Sequence, residues 1–355
     1  MIINYYKGMK YRKTAIVGDI FQIIEHQRKV SSSNKGINRL NKSIDWEFFR
    51  DLLEELLGYK NRDPKKGGRP PFDPVMMFKI LILQRLYNLS DEATEDQISD
   101  RYSFMEFLGL RPGGPIPDKN TIWDFRELLE SNGKNGTALL FKKFEIMLEQ
   151  EGIIAKEGSL VDASFVDAPK QRNTRDDNKE IKAGERPEHF DCNQSVGCQK
   201  DTDARWVSKN KEVHYGYKNH VKVDAKRKLI ISYATTDASV HDSQVFKDIV
   251  NDTDNALYAD SAYQSEESEN YLLKECDCCN FIQFKAARNR PLTQEERKVN
   301  HTMSRVRVRV EHVFGRMSQM GMDFCRKIGK VRANQHNGLC NLVYNMDRYA
   351  YLANR

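Results

Sequence analysis

Leu160-Val161-Asp162-Ala163-Ser164-Phe165-Val166-Asp167 marks a change of period in the chain. Upstream, apolar residues recur at helical spacing; from about residue 153 the spacing becomes that of extended structure, and Ile153 to Val166 reads as a strand. Asp162 sits inside that strand among apolar neighbours. An ionised carboxylate there is costly unless a cation or hydrogen-bond donors compensate it. Strand parity puts Asp162 and Asp167 on opposite faces, so the two cannot serve one site.

Downstream, Lys211 to Tyr233 alternates through Val213, Tyr215, Tyr217, Val221 and Val223, turns at Asp224-Ala225-Lys226-Arg227 and resumes at Leu229-Ile230-Ile231, a hairpin signature. A short helix over 241–250, a strand over 256–260, a helix over 265–275, a strand over 280–286 and a long helix over about 294–318 complete the pattern. Hairpin strands followed by alternating helix and strand predict an α/β core with a mixed sheet. The polar, turn-rich segment 168–212 reads as a surface excursion. Asp260, in Ala256-Leu257-Tyr258-Ala259-Asp260-Ser261-Ala262-Tyr263, lies where a buried strand emerges, and α/β sheets keep ligand sites at the carboxyl ends of strands. A strand-end aspartate also commonly caps the next helix.

The third acidic candidate is Glu311. Arg305-Val306-Arg307-Val308-Arg309-Val310 alternates like an edge strand when taken alone. The wider window, with Met303, Val306, Val310, Val313, Phe314 and Met317, follows one face of a helix. Arg307 then shares a face with Glu311, four residues on. An exposed ion pair fits that spacing too, but three arginines beside a carboxylate on a partly apolar helix suit a groove lined by phosphates better.

Upstream of the strand the chain is helical. Residues 1–44 are polar and basic and read as a loosely ordered arm. Trp46 to Leu57 gives a first packed helix, and Asp73-Pro74 opens another that runs to Leu86. More follow at about 92–101, 119–131 and 137–150. Pro117-Asp118-Lys119-Asn120-Thr121 has the form of the start of a recognition helix, with polar side chains at its N-terminus. An ordinary packing or dimerisation unit fits the same pattern.

Composition frames these readings. The chain has 355 residues, 39% of them hydrophobic, enough for two or three domains and too apolar for disorder throughout. A net charge of +6 fits a nucleic-acid partner without requiring one. Residues 285–332 alone hold 13 Lys and Arg against four Asp and Glu, net +9, more than the excess of the whole chain. Seven cysteines, an odd number with no apolar leader before them, point to a reducing cytoplasm rather than a disulfide scaffold. Cys276-Asp277-Cys278-Cys279 lacks the second Cys or His pair of a zinc finger or ribbon. The longest apolar stretch, Val75 to Leu83, is interrupted by Lys79 and is too short to cross a bilayer, so a soluble protein is expected.

Taken together, Val-Asp162-Ala-Ser, Tyr-Ala-Asp260-Ser-Ala-Tyr and Arg307-x-x-x-Glu311-His312-Val313-Phe314-Gly315 resemble the DDE transposases of bacterial insertion sequences, in particular the insertion sequence five branch. Asp203-Ala204-Arg205-Trp206, His214-Tyr215-Gly216-Tyr217-Lys218-Asn219-His220 and Thr236-Asp237-Ala238-Ser239-Val240-His241-Asp242-Ser243 support it. Gly68-Arg69-Pro70-Pro71, Phe107-Leu108-Gly109-Leu110 and Pro117-Asp118-Lys119-Asn120-Thr121 resemble that branch's N-terminal domain. The likeness spans roughly residues 45–350; each motif is weak, while their order and spacing are specific.

The resemblance implies a ribonuclease H-like mixed five-stranded sheet flanked by helices in 153–355, with 168–212 inserted. An all-α DNA-binding or dimerisation domain in 45–152 precedes it. It implies that Asp162, Asp260 and Glu311 hold two divalent ions, Mg²⁺ or Mn²⁺, hard cations that oxygen ligands select over zinc. Arg307 would stabilise charge on the phosphate. The expected chemistry is cleavage at the element's terminal inverted repeats and strand transfer into target DNA by a homodimer in the bacterial cytoplasm, at the nucleoid. Lys119, Asn120, Thr121, Arg305, Arg309, Arg316, Trp206 and Lys218 are the expected DNA contacts. Against the related signature Tyr-x-x-Arg-x-x-x-Glu-x-x-x-x-x-x-Lys, Ser304 replaces the tyrosine and Ser318 the lysine, with Arg316 as a substitute cation. Fifty residues between Asp260 and Glu311 leave no room for a large β insertion, so direct cutting and joining is expected over a hairpin route. A ribonuclease H-like nuclease that does not join ends, and an inactive DNA-binding repressor, are the alternative readings.

Overall fold

Apolar alternation on either side of Asp162 builds a mixed sheet of six strands: β1 (Ser159–Asp167), β2 (Arg205–Lys209), β3 (Glu212–Asp224), β4 (Ile230–Asp237), β5 (Ala256–Ala259) and β6 (Cys279–Ile282). The computed structural model describes residues 20–33, 36–61, 67, 69–209, 211–250, 255–276, 278–287 and 290–354. β3 pairs antiparallel with β1 along one edge. Along its other edge it pairs with β2 through Glu212–Gly216 and with β4 through Tyr217–Val223. β5 and β6 continue parallel to β1. Three antiparallel strands extended by two parallel ones are the ribonuclease H-like arrangement. The sixth strand, β2, comes from the segment expected to be a surface excursion. The segment also forms three short helices, α9 (Arg175–Ala183), α10 (His189–Cys192) and α11 (Gln194–Gly197), and buries Ile181 and Phe190 from them and Ala204 just before β2.

Among the described residues, eight α-helices precede the sheet: α1 (Ile20–Ser32), α2 (Gly36–Ser43), α3 (Arg50–Leu57), α4 (Pro74–Leu86), α5 (Asp91–Asp100), α6 (Tyr102–Leu108), α7 (Lys119–Glu130) and α8 (Gly136–Gln150). The start of α4 is the one expected: Asp73 accepts the Met76 N–H at 3.0 Å, and Pro74 occupies the first turn. The arm expected over 1–44 is helical through α1 and α2. Ile37 and Leu40 of α2 join the main core, and its apolar stripe was too short to stand out in a polar stretch. Residues 1–19 lie outside the described residues.

Among the described residues, four α-helices follow the hairpin: α12 (Phe246–Ile249), α13 (Glu266–Lys274), α14 (Gln294–Gln319) and α15 (Lys330–Ala353). α12 and α13 cover one face of the sheet, packing Phe246, Ile249 and Leu272 on Val161, Leu257 and Ala259. α14 and α15 cover the other. There a single core runs from the N-terminal helices through Leu160, Val221 and Val223 to Val310, Val313 and Leu342. A capping box, Thr293 with Glu296, fixes the start of α14 and settles Arg305–Val310 as helix.

α15 is buried on nearly every side and was not anticipated. Its Leu339, Leu342, Val343 and Met346 belong to the shared core, while three asparagines four residues apart dock on the sheet. Asn337 donates to Thr235 Oγ1 at 3.0 Å. Asn341 and Asn219 exchange amide hydrogen bonds at 2.8 and 3.1 Å. Asn345 accepts the Ile230 N–H at 2.8 Å and donates to its carbonyl at 2.7 Å. A Cβ at Gly338 would run into the Tyr233 hydroxyl, which packs against the helix there. No helix of the described residues is long and apolar enough to cross a membrane.

Replacing Asn345 with Leu, close in volume, orphans both Ile230 backbone groups. The expected loss is about 1–3 kcal/mol for each orphaned group, read as a lower urea midpoint with an unchanged slope.

Candidate active site

The site follows from strand register. In the parallel β1–β5 pair, Leu160 faces Tyr258 and Val161 faces Ala259. One step further, Asp162 and Asp260 come side by side on the same face. β5 pairs with β6 so that Ala259 faces Ile282, which brings Gln283 to the same level. Three adjacent strands therefore present Asp162, in the middle of β1, and Asp260 and Gln283, just past the ends of β5 and β6, in a row.

α14 crosses this row and drops Arg307 onto it. Its Nη2 lies 3.3 Å from Asp162 Oδ2, and its Nη1 lies 3.8 Å from Asp260 Oδ1. Nη1 donates to Gln283 Oε1 at 2.8 Å. Gln283 in turn donates to Ser304 Oγ at 2.7 Å and to the Asn300 carbonyl at 3.1 Å, so Ser304 and Asn300 fix the amide that fixes the arginine. Sequence reading missed Gln283; its only signal was a position one residue past an apolar strand. Asp162 Oδ1 accepts its own strand's Ala163 N–H at 2.8 Å, and Asp260 caps the turn that follows it by accepting the Ser261 N–H at 2.6 Å.

Burial raises the Asp162 carboxyl above its ordinary range and Asp260 adds to the rise, while Arg307 pulls it back. Tyr263, buried beside them, keeps its hydroxyl protonated: burial comes first, then the charges of Asp242, Asp162 and Asp260.

The other expected residues fall in several places. Glu311 lies one turn beyond Arg307 on α14 and is exposed. Among the described residues no three His, Cys, Asp or Glu side chains are grouped closely enough to hold a metal ion. The structure thus brings Asp162, Asp260 and Arg307 together and leaves Glu311 outside that contact. Two hard-oxygen donors on adjacent strands, carrying more negative charge than the one guanidinium cancels, still fit a divalent cation. The Arg307 Nε, buried without a partner, shows a side chain not fully committed to its present contacts.

Arg305 is exposed, Arg309 donates to the Ala225 carbonyl at 2.7 Å, and Trp206 is exposed on β2 against Tyr215 at 4.7 Å. Lys218 is not available to DNA in this fold. It is buried on the sheet face opposite Asp162, donating to Asp242 Oδ1 at 2.8 Å and to the Val240 carbonyl at 2.7 Å. Beside it, burial pushes His220 down to about 4, so the ring is neutral although Asp242 is 4.0 Å away. Arg316, the expected substitute for the missing lysine, pairs with Asp347 of α15 at 3.0 Å. At the start of α7, Asp118 accepts the Thr121 N–H at 2.7 Å and Glu95 accepts the Lys119 N–H at 2.9 Å. The Lys119 ammonium pairs with Glu92 at 3.0 Å, and Asn120 beside it is exposed. Carboxylates crowd the end where phosphates were expected. Cys276 and Cys278 are buried core thiols.

Asp162 within β1 and Asp260 past the end of β5, side by side on a mixed sheet, suit phosphoryl transfer, and two family models match the chain. Residues 154–346, more than half of the chain, match the model described as "Transposase DDE domain", and residues 24–128 match "Transposase domain (DUF772)". The chain belongs to the DDE transposase family: it is an enzyme, a DNA transposase that binds DNA, and membership carries a general dependence on divalent metal. The chain is also similar to the piggyBac transposase in a cryo-EM synaptic complex with hairpin DNA, at 11% identity and a TM-score of 0.48, covering 92% of this chain and 76% of that one.

The raised Asp162 carboxyl has a stability consequence. A folded-state value above the unfolded one stabilises the protein at low pH, and that contribution is lost as pH rises through the folded value. In metal-free buffer at neutral pH, Asp162→Asn is therefore expected to melt above the wild-type protein, with the difference closing as the pH is lowered into the carboxylate range. A lower melting temperature at neutral pH would contradict this account.

Proposed function

We propose that Asp162, Asp260 and Glu311 form one site for two divalent ions, magnesium or manganese, and that this chain cuts at the ends of its own element and joins them to target DNA. The observation that carries the reading is the Arg307 guanidinium set between Asp162 and Asp260. It marks the spot where the sheet concentrates negative charge and where a phosphodiester would have to come. When bound, the ions would supply the positive charge that activates the attacking oxygen and stabilises the leaving one. The chain's own groups do the rest. Gln283 holds Arg307 in place, Arg307 is set to move onto a phosphate oxygen once cations take over its carboxylates, and α14 carries Glu311 on the same side of the helix.

The exposed position of Glu311 makes it the ligand supplied last, by α14 moving toward the strand ends when DNA is bound. Trp206, Arg305 and Arg309 are the exposed groups placed to meet the duplex, and Asn120 and Thr121 remain candidates at the start of α7. Within the family we assign the chain to the insertion sequence five branch, acting as a homodimer in the bacterial cytoplasm at the nucleoid. Residues 45–152 provide end binding and 153–355 the chemistry. The shared core between them makes the two parts one mechanical unit.

The test is a labelled duplex carrying the element's terminal repeats, incubated with Mg²⁺. Joined products support the transposition chemistry, nicks alone support a nuclease, and binding without cleavage supports a repressor. Asp162→Ala, Asp260→Ala and Glu311→Ala are each expected to abolish cleavage and spare end binding; near-normal activity in any one removes that residue from the site. Gln283→Ala, which frees Arg307 without touching a carboxylate, is expected to slow cleavage by up to about 100-fold, the cost that misplacing a positioned group by about 1 Å can carry.

A further inference from the structure

Away from the carboxylates, a cleft of about 350 Å³ opens between the N-terminal helices and residues 321–327, which follow α14. Arg85, Arg126, Arg326 and Lys327 line it, against Asp91 and Asp323. Asp91 is already engaged, its two oxygens accepting from Arg126 at 2.6 and 2.9 Å. Asp323 is exposed and accepts from Ser318 Oγ at 2.7 Å.

Arg85 and Lys327 hydrogen-bond only to neutral groups, although the Lys327 charge reaches Asp91. Arg85 donates to His336 Nδ1 at 3.3 Å and to the Leu89 carbonyl at 3.5 Å, and Lys327 donates to Gln335 Oε1 at 2.8 Å. Among the described residues neither makes an ion pair with a carboxylate. His336 brings no charge, since burial, then Arg85 and Lys327, hold its ring neutral. Arg126 is buried, and its Nε has no hydrogen-bond partner. Burial, reinforced by Arg126 and Arg85, pushes Lys327 down to about 7. A cleft that gathers cations, satisfies them with neutral groups and leaves a buried guanidinium nitrogen unpartnered lacks an anion.

We propose that this cleft binds a phosphate group, with Arg85 and Lys327 as its principal donors and Arg326 at the rim. Guanidinium forks match phosphate oxygens in geometry, and an ammonium adds a point charge. The placement gives the site a purpose. Asp167 donates its N–H to the Asp323 carbonyl at 2.9 Å and accepts from the Cys325 N–H at 2.8 Å, so the cleft segment is stitched to the end of β1. The catalytic-strand residue Asp162 lies five positions back, on the order of 16 Å along the strand. A DNA phosphate held here would set the duplex in register with the carboxylates while touching α4 and the segment after α14 at once. The phosphodiester backbone is the source that a DNA transposase meets; free phosphate carries the same chemistry.

Binding is measured in EDTA, so the metal-site reading does not enter. One arm titrates a labelled DNA duplex across a salt series, and the other titrates inorganic phosphate. The proteins are wild type, Arg85→Gln with Lys327→Gln, and the rim variant Arg326→Gln; circular dichroism checks that each is folded. The slope of log affinity against log salt is expected to fall by about two units in the double variant and about one in Arg326→Gln. Loss of inorganic phosphate binding with an unchanged duplex slope assigns the cleft to a free phosphate. Wild-type behaviour of the folded cleft variants in both arms overturns the proposal.

Discussion

Three asparagines on α15 hold the molecule together. A long helix between a sheet and a layer of helices would ordinarily present leucine or valine on both sides. Here the side toward the sheet carries Asn337, Asn341 and Asn345, each paired with a specific group on β3 or β4. Apolar packing tolerates sliding; amide pairs at fixed spacing do not, because a shift by one residue leaves every buried donor unmatched. α15 is thereby locked in register with β4, and the N-terminal helices resting on its other side inherit that register.

The carboxylate pair depends on a second register, that of the parallel strands. Asp162, Asp260 and Gln283 stand level because β1, β5 and β6 pair without offset. The arrangement is uncomfortable by itself: burial and the neighbouring aspartate both oppose ionisation of Asp162, and Arg307 offsets this only in part. The fold tolerates the strain because strands packed on both faces have little freedom to separate the charges.

Much of this was legible in the chain. Period two around Asp162, the hairpin turn at Asp224, the Asp73-Pro74 helix start and the helical stripe through Val306, Val310 and Val313 each stated a local rule that the structure obeys. Reading failed where long-range contacts override local character. α15 lacks a clean apolar stripe because its polar face is satisfied by residues more than a hundred positions away. α2 is short and its neighbours are polar. Lys218 carried a charge that suggested DNA, but only the fold reveals Asp242 waiting for it. Asp162 and Asp260 were found because a carboxylate at the end of an apolar run is conspicuous. Gln283, neutral and unremarkable in sequence, was not.

The position of α15 along the chain also orders events during synthesis. Residues 330–353 leave the ribosome after every element they bridge, so the sheet face bearing Leu160 and Val223 and the apolar sides of α4 and α8 wait uncovered until then. A chain that stopped before residue 330 would carry Asp162, Asp260 and Glu311 and most of the basic segment, yet lack the wall that both layers rest on. The order of synthesis therefore puts the sheet and the N-terminal helices before the helix that joins them.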